Sequence, residues 1–175
     1  FNKQKGYTNN FENALKQVRG DIIFLSDQDD IWMDNKVDTC KKYLSKGYQM
    51  VISNAEIVDK DLNILSDSFF KTRNTKFGFL NNLIRVGYIG CTLVFNKSIL
   101  NGSLPFPVNK KLIPHDLWIG MYGMLFYKVK WITIPLIKYR RHSTNVSEGG
   151  LKVSRFSFKD KFRLRATLIL NLINR

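Results

Sequence analysis

The sequence predicts a layered α/β domain built on a largely parallel sheet. A helical pattern over Tyr7 to Gly20 runs straight into the short apolar segment Asp21 to Ser26, and helix followed by buried strand is the mark of that class. The same alternation recurs down the chain. Composition agrees: 175 residues, 44% hydrophobic and 24% charged, with 11 Gly and 4 Pro, describe about one globular domain and exclude collagen, repeat arrays and disorder.

In the first helix Phe11, Ala14, Leu15 and Val18 share one face, with Asn9 or Asn10 as cap and Gly20 as stop. Ile22 to Leu25 is apolar throughout, as for a strand covered on both faces of a parallel sheet. After an acidic turn at Asp27 to Asp30, Met33, Val37, Cys40 and Leu44 repeat at helical spacing and Gly47 ends the run. Met50 to Ser53 reads as a second core strand, and Asp59 to Asn63 as the turn of an edge hairpin. Phe77 to Val86 is a third helix pattern. Cys91 to Phe95 is strand-like, with Gly90 marking a close backbone approach. His115 to Phe126 has helical spacing at Leu117, Met121, Met124 and Leu125. Trp131 to Ile137 is a late strand, assigned to an edge because Pro135 interrupts it. In Lys152 to Arg175, Ser157 and Asp160 have capping-box spacing. Phe158, Phe162, Ala166, Ile169 and Ile173 then line one face of a basic amphipathic helix.

Lys and Arg number 28 against 14 Asp and Glu, a net charge of +14, so the expected partner is anionic. A basic nucleic-acid-binding module is one alternative, because thirteen Phe accompany that charge and cations interleaved with aromatics can track a single strand. The aromatics fall inside core patterns, however, and no RRM, KH, helix-turn-helix or zinc signature appears; no nucleic-acid partner is expected. Cys40 and Cys91 lack metal-ligand spacing, which argues against a disulfide framework or structural zinc and for a reducing cytoplasm. No apolar run reaches the roughly 18 residues of a membrane span. The chain opens on Phe1 and enters at once a turn and a helix pattern, which reads as a start partway through something larger.

Acids are few, yet Asp27, Asp29 and Asp30 fall within four positions after a buried strand. Loops at the carboxyl ends of strands are where α/β sheets bind ligands, and a hard divalent cation would relieve the repulsion while keeping sites open for phosphate oxygens. A solvated loop capping the next helix is the plain alternative. A phosphohydrolase using the same turn would need an aspartyl nucleophile motif or second metal cluster, and neither is seen.

Ser26-Asp27-Gln28-Asp29-Asp30-Ile31-Trp32, preceded by Gly6-Tyr7-Thr8-Asn9-Asn10-Phe11-Glu12 and Gly20-Asp21-Ile22-Ile23-Phe24-Leu25, resembles the inverting family 2 glycosyltransferases, especially rhamnosyltransferase-like bacterial members. Gly90-Cys91-Thr92, Pro114-His115-Asp116-Leu117-Trp118 and Tyr139-Arg140-Arg141-His142 with Asn145 follow in order, so the resemblance spans nearly the whole chain. It implies a GT-A fold, a Rossmann-like αβα sandwich that is N-terminally incomplete here: residues 1–150 would be the later part of the catalytic domain and 151–175 the C-terminal basic amphipathic helix. The strands that bind base and ribose in that family would precede Phe1. The piece alone is therefore expected to bind nucleotide weakly, and a second copy would cover the sheet edge left open.

The resemblance also implies chemistry. A nucleotide-sugar donor would be held by Mn²⁺ or Mg²⁺, with Asp29 as first-choice ligand and Asp27 completing the DxD motif against ribose or sugar. Asp30 is an alternate ligand or helix cap, and His142 stands near metal or diphosphate. Arg140 would meet phosphate oxygens. Asp116 matches the base that deprotonates the acceptor, a glycan or lipid-linked sugar. Gly90, Cys91 and Thr92 would floor the pocket, His115 would orient a neighbour or the acceptor, and Trp32 and Trp118 would wall the acceptor side. The implied place of work is the cytoplasmic face of the membrane, with the basic helix at its surface.

Overall fold

A computed structural model describes residues 6–109, 112–141 and 157–175. Helix α1 (Tyr7–Lys16) is followed by strands β1 (Ile22–Phe24) and β2 (Ile31–Trp32), helix α2 (Lys36–Leu44), and the hairpin β3 (Met50–Val58) and β4 (Ile64–Ser66). Two short helices, α3 (Phe69–Arg73) and α4 (Phe79–Ile84), and a 3₁₀ turn at Gly90–Thr92 lead into β5 (Leu93–Asn96) and α5 (Lys97–Ser103). Then come α6 (His115–Phe126), β6 (Val129–Arg140) and α7 (Phe158–Ile173).

The six strands form one sheet in the order β1-β5-β3-β6-β2, with β4 beside the far end of β3. The predicted layering holds, whereas the expected parallel sheet becomes a mixed one. Antiparallel β5 lies between β1 and β3, and β3 and β6 are the parallel neighbours. Strands β1, β3 and β6 nevertheless run the same way, so their carboxyl ends gather at one edge, and the acidic turn follows directly from β1. Side-chain alternation sorts the faces. Met50, Ile52, Leu93 and Phe95 point into the larger core under α1, α5, α6 and α7, while Val51, Val94, Ile132 and Leu136 pack with Cys40 and Leu44 of α2 on the other.

The proline expectation is overturned. Strand β6 is 12 residues long and lies inside the sheet, between β3 and β2. Pro135 sits where the register with β3 slips, after the pair Ser53 and Ile132 and opposite Asn54. A bulge is the place where a residue without an N–H costs no ladder bond. Asn54 closes it: its Nδ2 donates to Thr133 O and to Ser68 Oγ, each at 2.8 Å, and its Oδ1 accepts from Phe70 N at 3.0 Å.

Helix α1 starts at Gly6 with φ 120°, rather than at an asparagine cap, and ends at Lys16. Helices α3 and α5 have side-chain caps, Ser68 and Asn96, that reach Lys71 N and Ile99 N. The capping box of α7 is present as the spacing indicates, Ser157 accepting from Asp160 N while the Asp160 carboxylate accepts from Ser157 N.

Because Asn54 joins β3, β6 and α3, Asn54→Ala leaves buried backbone groups unpaired and should lower stability by about 2–4 kcal/mol. Urea unfolding measures this. A loss under about 0.5 kcal/mol would show that the bulge holds without the amide.

Candidate active site

Strand β1 ends at Phe24, and the chain then runs along the carboxyl edge through Asp27 to Asp30 before β2 pairs with β6. Arg140, the last residue of β6, fixes that turn. Its backbone N–H donates to Asp30 Oδ1 at 3.1 Å, its Nε to the Asp29 carbonyl at 2.9 Å and its Nη1 to the Lys60 carbonyl at 2.7 Å. The guanidinium expected at donor phosphate therefore braces the acidic loop.

Asp27, Asp30 and Cys91 each bring a ligand-capable atom within 4.8 Å of the other two. Asp30 Oδ2 is buried without a hydrogen-bond partner. Asp29, the first-choice ligand from the resemblance, lies outside this group, which Asp27 and Asp30 supply instead. Burial, and then the carboxylates of Asp30, Asp29 and Asp116, push Asp27 up to about 6. Burial likewise raises Asp30 above its ordinary range, against the Cys91 thiol beside it and the hydrogen bond from Arg140. Burial, followed by the charge of Asp30, lifts the Cys91 thiol well above its normal value, so at neutral pH it stays protonated and is a poor metal ligand. Two carboxylates that resist ionisation together, one with an orphaned buried oxygen, fit a hard divalent cation such as Mg²⁺ or Mn²⁺ that retains open positions.

Lys36 lies beneath this cluster. It is fully buried, donates from Nζ to the Cys91 carbonyl at 2.9 Å, and stands 4.8 Å from the Trp32 ring centroid. Burial draws its ammonium down to about 8 against the raising influence of its neighbours. The sequence reading passed over this residue and placed Val37 on the inner face. Lys36 falls three residues after Met33 and four before Cys40, so a lysine in register with an apolar stripe was the available signal; Val37 is 38% exposed.

Asp116 occupies the first turn of α6, as its spacing indicates. Its Oδ1 accepts from Leu117 N at 2.9 Å. Its Oδ2 faces Gly90, where an added Cβ would stand 3.6 Å from that oxygen and 3.2 Å from the Asp116 Cβ. The absent side chain leaves room beside the carboxylate. The charge of Asp116 adds, after burial, Asp30 and Asp29, to the raised pKa of Asp27. Tyr88, unremarked in the sequence, sends its hydroxyl toward the Asp116 and Leu117 carbonyls, at 3.5 and 3.4 Å.

Other expectations are redistributed. Trp118 is fully buried and donates from Nε1 to the Ser103 carbonyl at 2.7 Å, so it belongs to the core and walls no pocket. Thr92 is also fully buried, its hydroxyl donating to the Ile89 carbonyl at 2.7 Å. Of the expected floor, Gly90 is partly open and Cys91 faces the acids from beneath. His115 is packed face to face on Phe11, ring centroids 3.7 Å apart, with burial lowering its pKa; it supports the start of α6. Trp32 is half-buried, against Phe24. His142 and Asn145 lie outside the described residues.

The chain belongs to Glycosyl transferase family 2, whose model matches residues 1–103. A relative from Escherichia coli, UDP-Glc:alpha-D-GlcNAc-diphosphoundecaprenol beta-1,3-glucosyltransferase WfgD, is 28% identical over 153 residues, 85% of this chain and 56% of the relative. Among solved structures, S. aureus TarS 1-349 with UDP-GlcNAc aligns at a TM-score of 0.60 and 15% identity, over 91% of this chain and 46% of that one. The same protein with UDP gives a TM-score of 0.58 and 17% identity, over 91% and 44%. The chain thus spans about half the length of these relatives, and the structural likeness establishes a shared GT-A architecture.

The raised Asp27 sets a pH test. With a folded pKa of about 6 against an ordinary 3.8, protonation favours the native state; that contribution is complete below about 3.8 and is lost as pH rises through 6. Asp27→Asn removes the penalty. In EDTA the variant should gain on wild type between pH 4 and pH 7, by about 1 kcal/mol after solvent screening. Thermal melts across that range decide it, and a constant difference would show that Asp27 is not strained by its neighbours.

Proposed function

We propose that this chain carries the catalytic carboxylates of an inverting, divalent-metal-dependent glycosyltransferase. The donor is a nucleoside-diphosphate sugar, and the acceptor is a lipid-linked saccharide or a growing polysaccharide. The observation that supports this most directly is the acidic pair Asp27 and Asp30, whose ligand atoms lie within 4.8 Å of one another, with Asp116 on a different element beside Gly90 and its charge acting on Asp27. The WfgD name describes a glucosyl donor and a diphosphoundecaprenol-linked acceptor, and TarS binds UDP-GlcNAc; both favour a UDP-hexose over the rhamnosyl donor implied by the resemblance.

In this reading Asp27 and Asp30 would hold Mn²⁺ or Mg²⁺, with Asp29 between them in sequence and His142, two residues after β6 in the chain, as a further candidate. The cation, when bound, neutralises charge on the departing diphosphate. Arg140 keeps the loop in one conformation by engaging its carbonyls. Lys36 places a positive charge under the carboxylates without competing for the open side. Asp116 accepts the proton of the acceptor hydroxyl through Oδ2 as that oxygen attacks the anomeric carbon from the face opposite the diphosphate, and the configuration inverts. The Leu117 N–H holds the Asp116 Oδ1 in place. Work at the cytoplasmic membrane face follows from a lipid-linked acceptor.

The test uses the full-length protein with a panel of UDP-hexoses and a rhamnosyl nucleotide against a diphosphoundecaprenol-linked saccharide. Transfer should require Mn²⁺ or Mg²⁺ and stop in EDTA. Asp116→Asn should lower kcat by about 10²–10⁴ with donor affinity retained. Product NMR should show the inverted anomer. Full activity after chelation, or in the Asp116→Asn variant, would overturn the assignment.

A further inference from the structure

Helix α7 carries two apolar faces, and only one of them is used inside the protein. Leu168 and Leu172, each 1% exposed, dock into the larger core with Leu164 against them. The stripe read from the sequence lies mostly outward: Phe158 is 87% exposed, Phe162 68% and Ile173 72%, with Ala166 and Ile169 half-buried. At 3.6 residues per turn, Phe158, Phe162, Ile169 and Ile173 fall within an arc of about 60°, roughly 110° round the helix from the leucines. Lys159 and Arg163 border that arc on one side, Lys161 and Arg165 on the other. The acid of the segment, Asp160, is tied into the capping box with Ser157.

Helix α4 extends the surface. The Arg165 guanidinium donates from Nε to the Leu83 carbonyl at 2.9 Å and also to the Ile84 carbonyl, which ties the end of α4 to the middle of α7. On α4, Leu80 and Ile84, one helical turn apart, are 73% and 69% exposed. Two bare phenylalanines, further aliphatics and a basic border on a helix whose other side is anchored make a pattern suited to the interface of a membrane.

We propose that α7, assisted by α4, docks this domain on an anionic lipid bilayer, with the Phe158 to Ile173 stripe in the headgroup–acyl boundary and Lys159 and Arg163 on lipid phosphates. Charge complementarity favours this occupant. A symmetric contact with a second copy would instead set Lys159, Arg163 and Lys161 against their own likeness. The inference rests on the proposed function, because a lipid-linked acceptor resides in that bilayer, and it adds the surface that would bring the pocket to it.

Flotation of the full-length protein with phosphatidylcholine vesicles, with and without 30% phosphatidylglycerol, tests it. Wild type should float with the anionic vesicles and be released by about 0.5 M salt. Phe158→Ser/Phe162→Ser and Lys159→Glu/Arg163→Glu should each reduce the bound fraction at least tenfold. Neither pair touches the core, so thermal melts and calorimetric donor binding should match wild type; loss of donor binding in wild type would be a failure of the proposed function instead. Equal flotation by wild type and both variants would overturn the inference. So would a concentration-dependent dimer abolished by the serine pair without any vesicle binding, or a lower melting temperature in that pair with flotation unchanged.

Discussion

The parallel pairing of β3 with β6 is the constraint on which the site depends. Val58 pairs with Arg140 at the far end of the two strands, and Arg141 N returns a bond to the Val58 carbonyl at 2.8 Å. That register delivers the Arg140 backbone and guanidinium to Asp30, Asp29 and Lys60 together. A strand shifted by one residue would turn Arg140 to the opposite face and release the acidic loop. The register survives a proline because the slip at Asn54 takes up the irregularity earlier in the strand. A buried amide in the middle of the sheet and a carboxylate cluster at its edge are therefore links in one chain of cause.

Electrostatics explains why such a pocket persists without collapsing on itself. Burial raises both Asp27 and Asp30, and like charge adds to it, from Asp30, Asp29 and Asp116 at Asp27 and from Asp29 at Asp30. The protein offsets part of this with Arg140 N–H on one oxygen and with the Lys36 ammonium below. A buried lysine with a single strong acceptor is costly, and at this position its cost supports a negative cavity open to a further cation. The wider excess of basic residues, a net charge of +14, favours approach of an anion.

Much of this was legible in the residues, for identifiable reasons. The acidic turn after an apolar strand, the α6 helix beginning beside Asp116 and the capping box of α7 are local patterns, and each appears where its spacing puts it. What the sequence hid was relational. Strand direction depends on which strand inserts between which, so β5 between β1 and β3 could not be read from apolar runs alone. Pro135 suggested an edge because the compensating partner, Asn54, lies far away in the chain. Trp118 was assigned to a pocket and is core, since every residue of α6 after Asp116 is aliphatic, aromatic, Met or Gly and the sequence marks no outer face. Asp29 and Asp30 are adjacent in sequence, and only the brace from Arg140 decides which carboxylate turns inward. In α7 the visible apolar stripe was real, yet a second one, Leu164, Leu168 and Leu172, does the packing.

That division of labour on α7 joins the two ends of the argument mechanically. Leu168 and Leu172 share a core with Leu117, Trp118 and Met121 of α6. The Arg175 guanidinium lies 5.3 Å from Trp118 in cation–π contact while its Nη1 donates to the Leu104 carbonyl at 3.1 Å. Arg175, two residues past the end of α7, thus meets α6 at Trp118, two residues after Asp116. Close-packed interiors transmit displacement, so in the proposed reading a shift at the end of α7 would be felt at the turn that carries Asp116. Trp118, buried in the core rather than lining a pocket, is the residue through which Arg175 meets that helix.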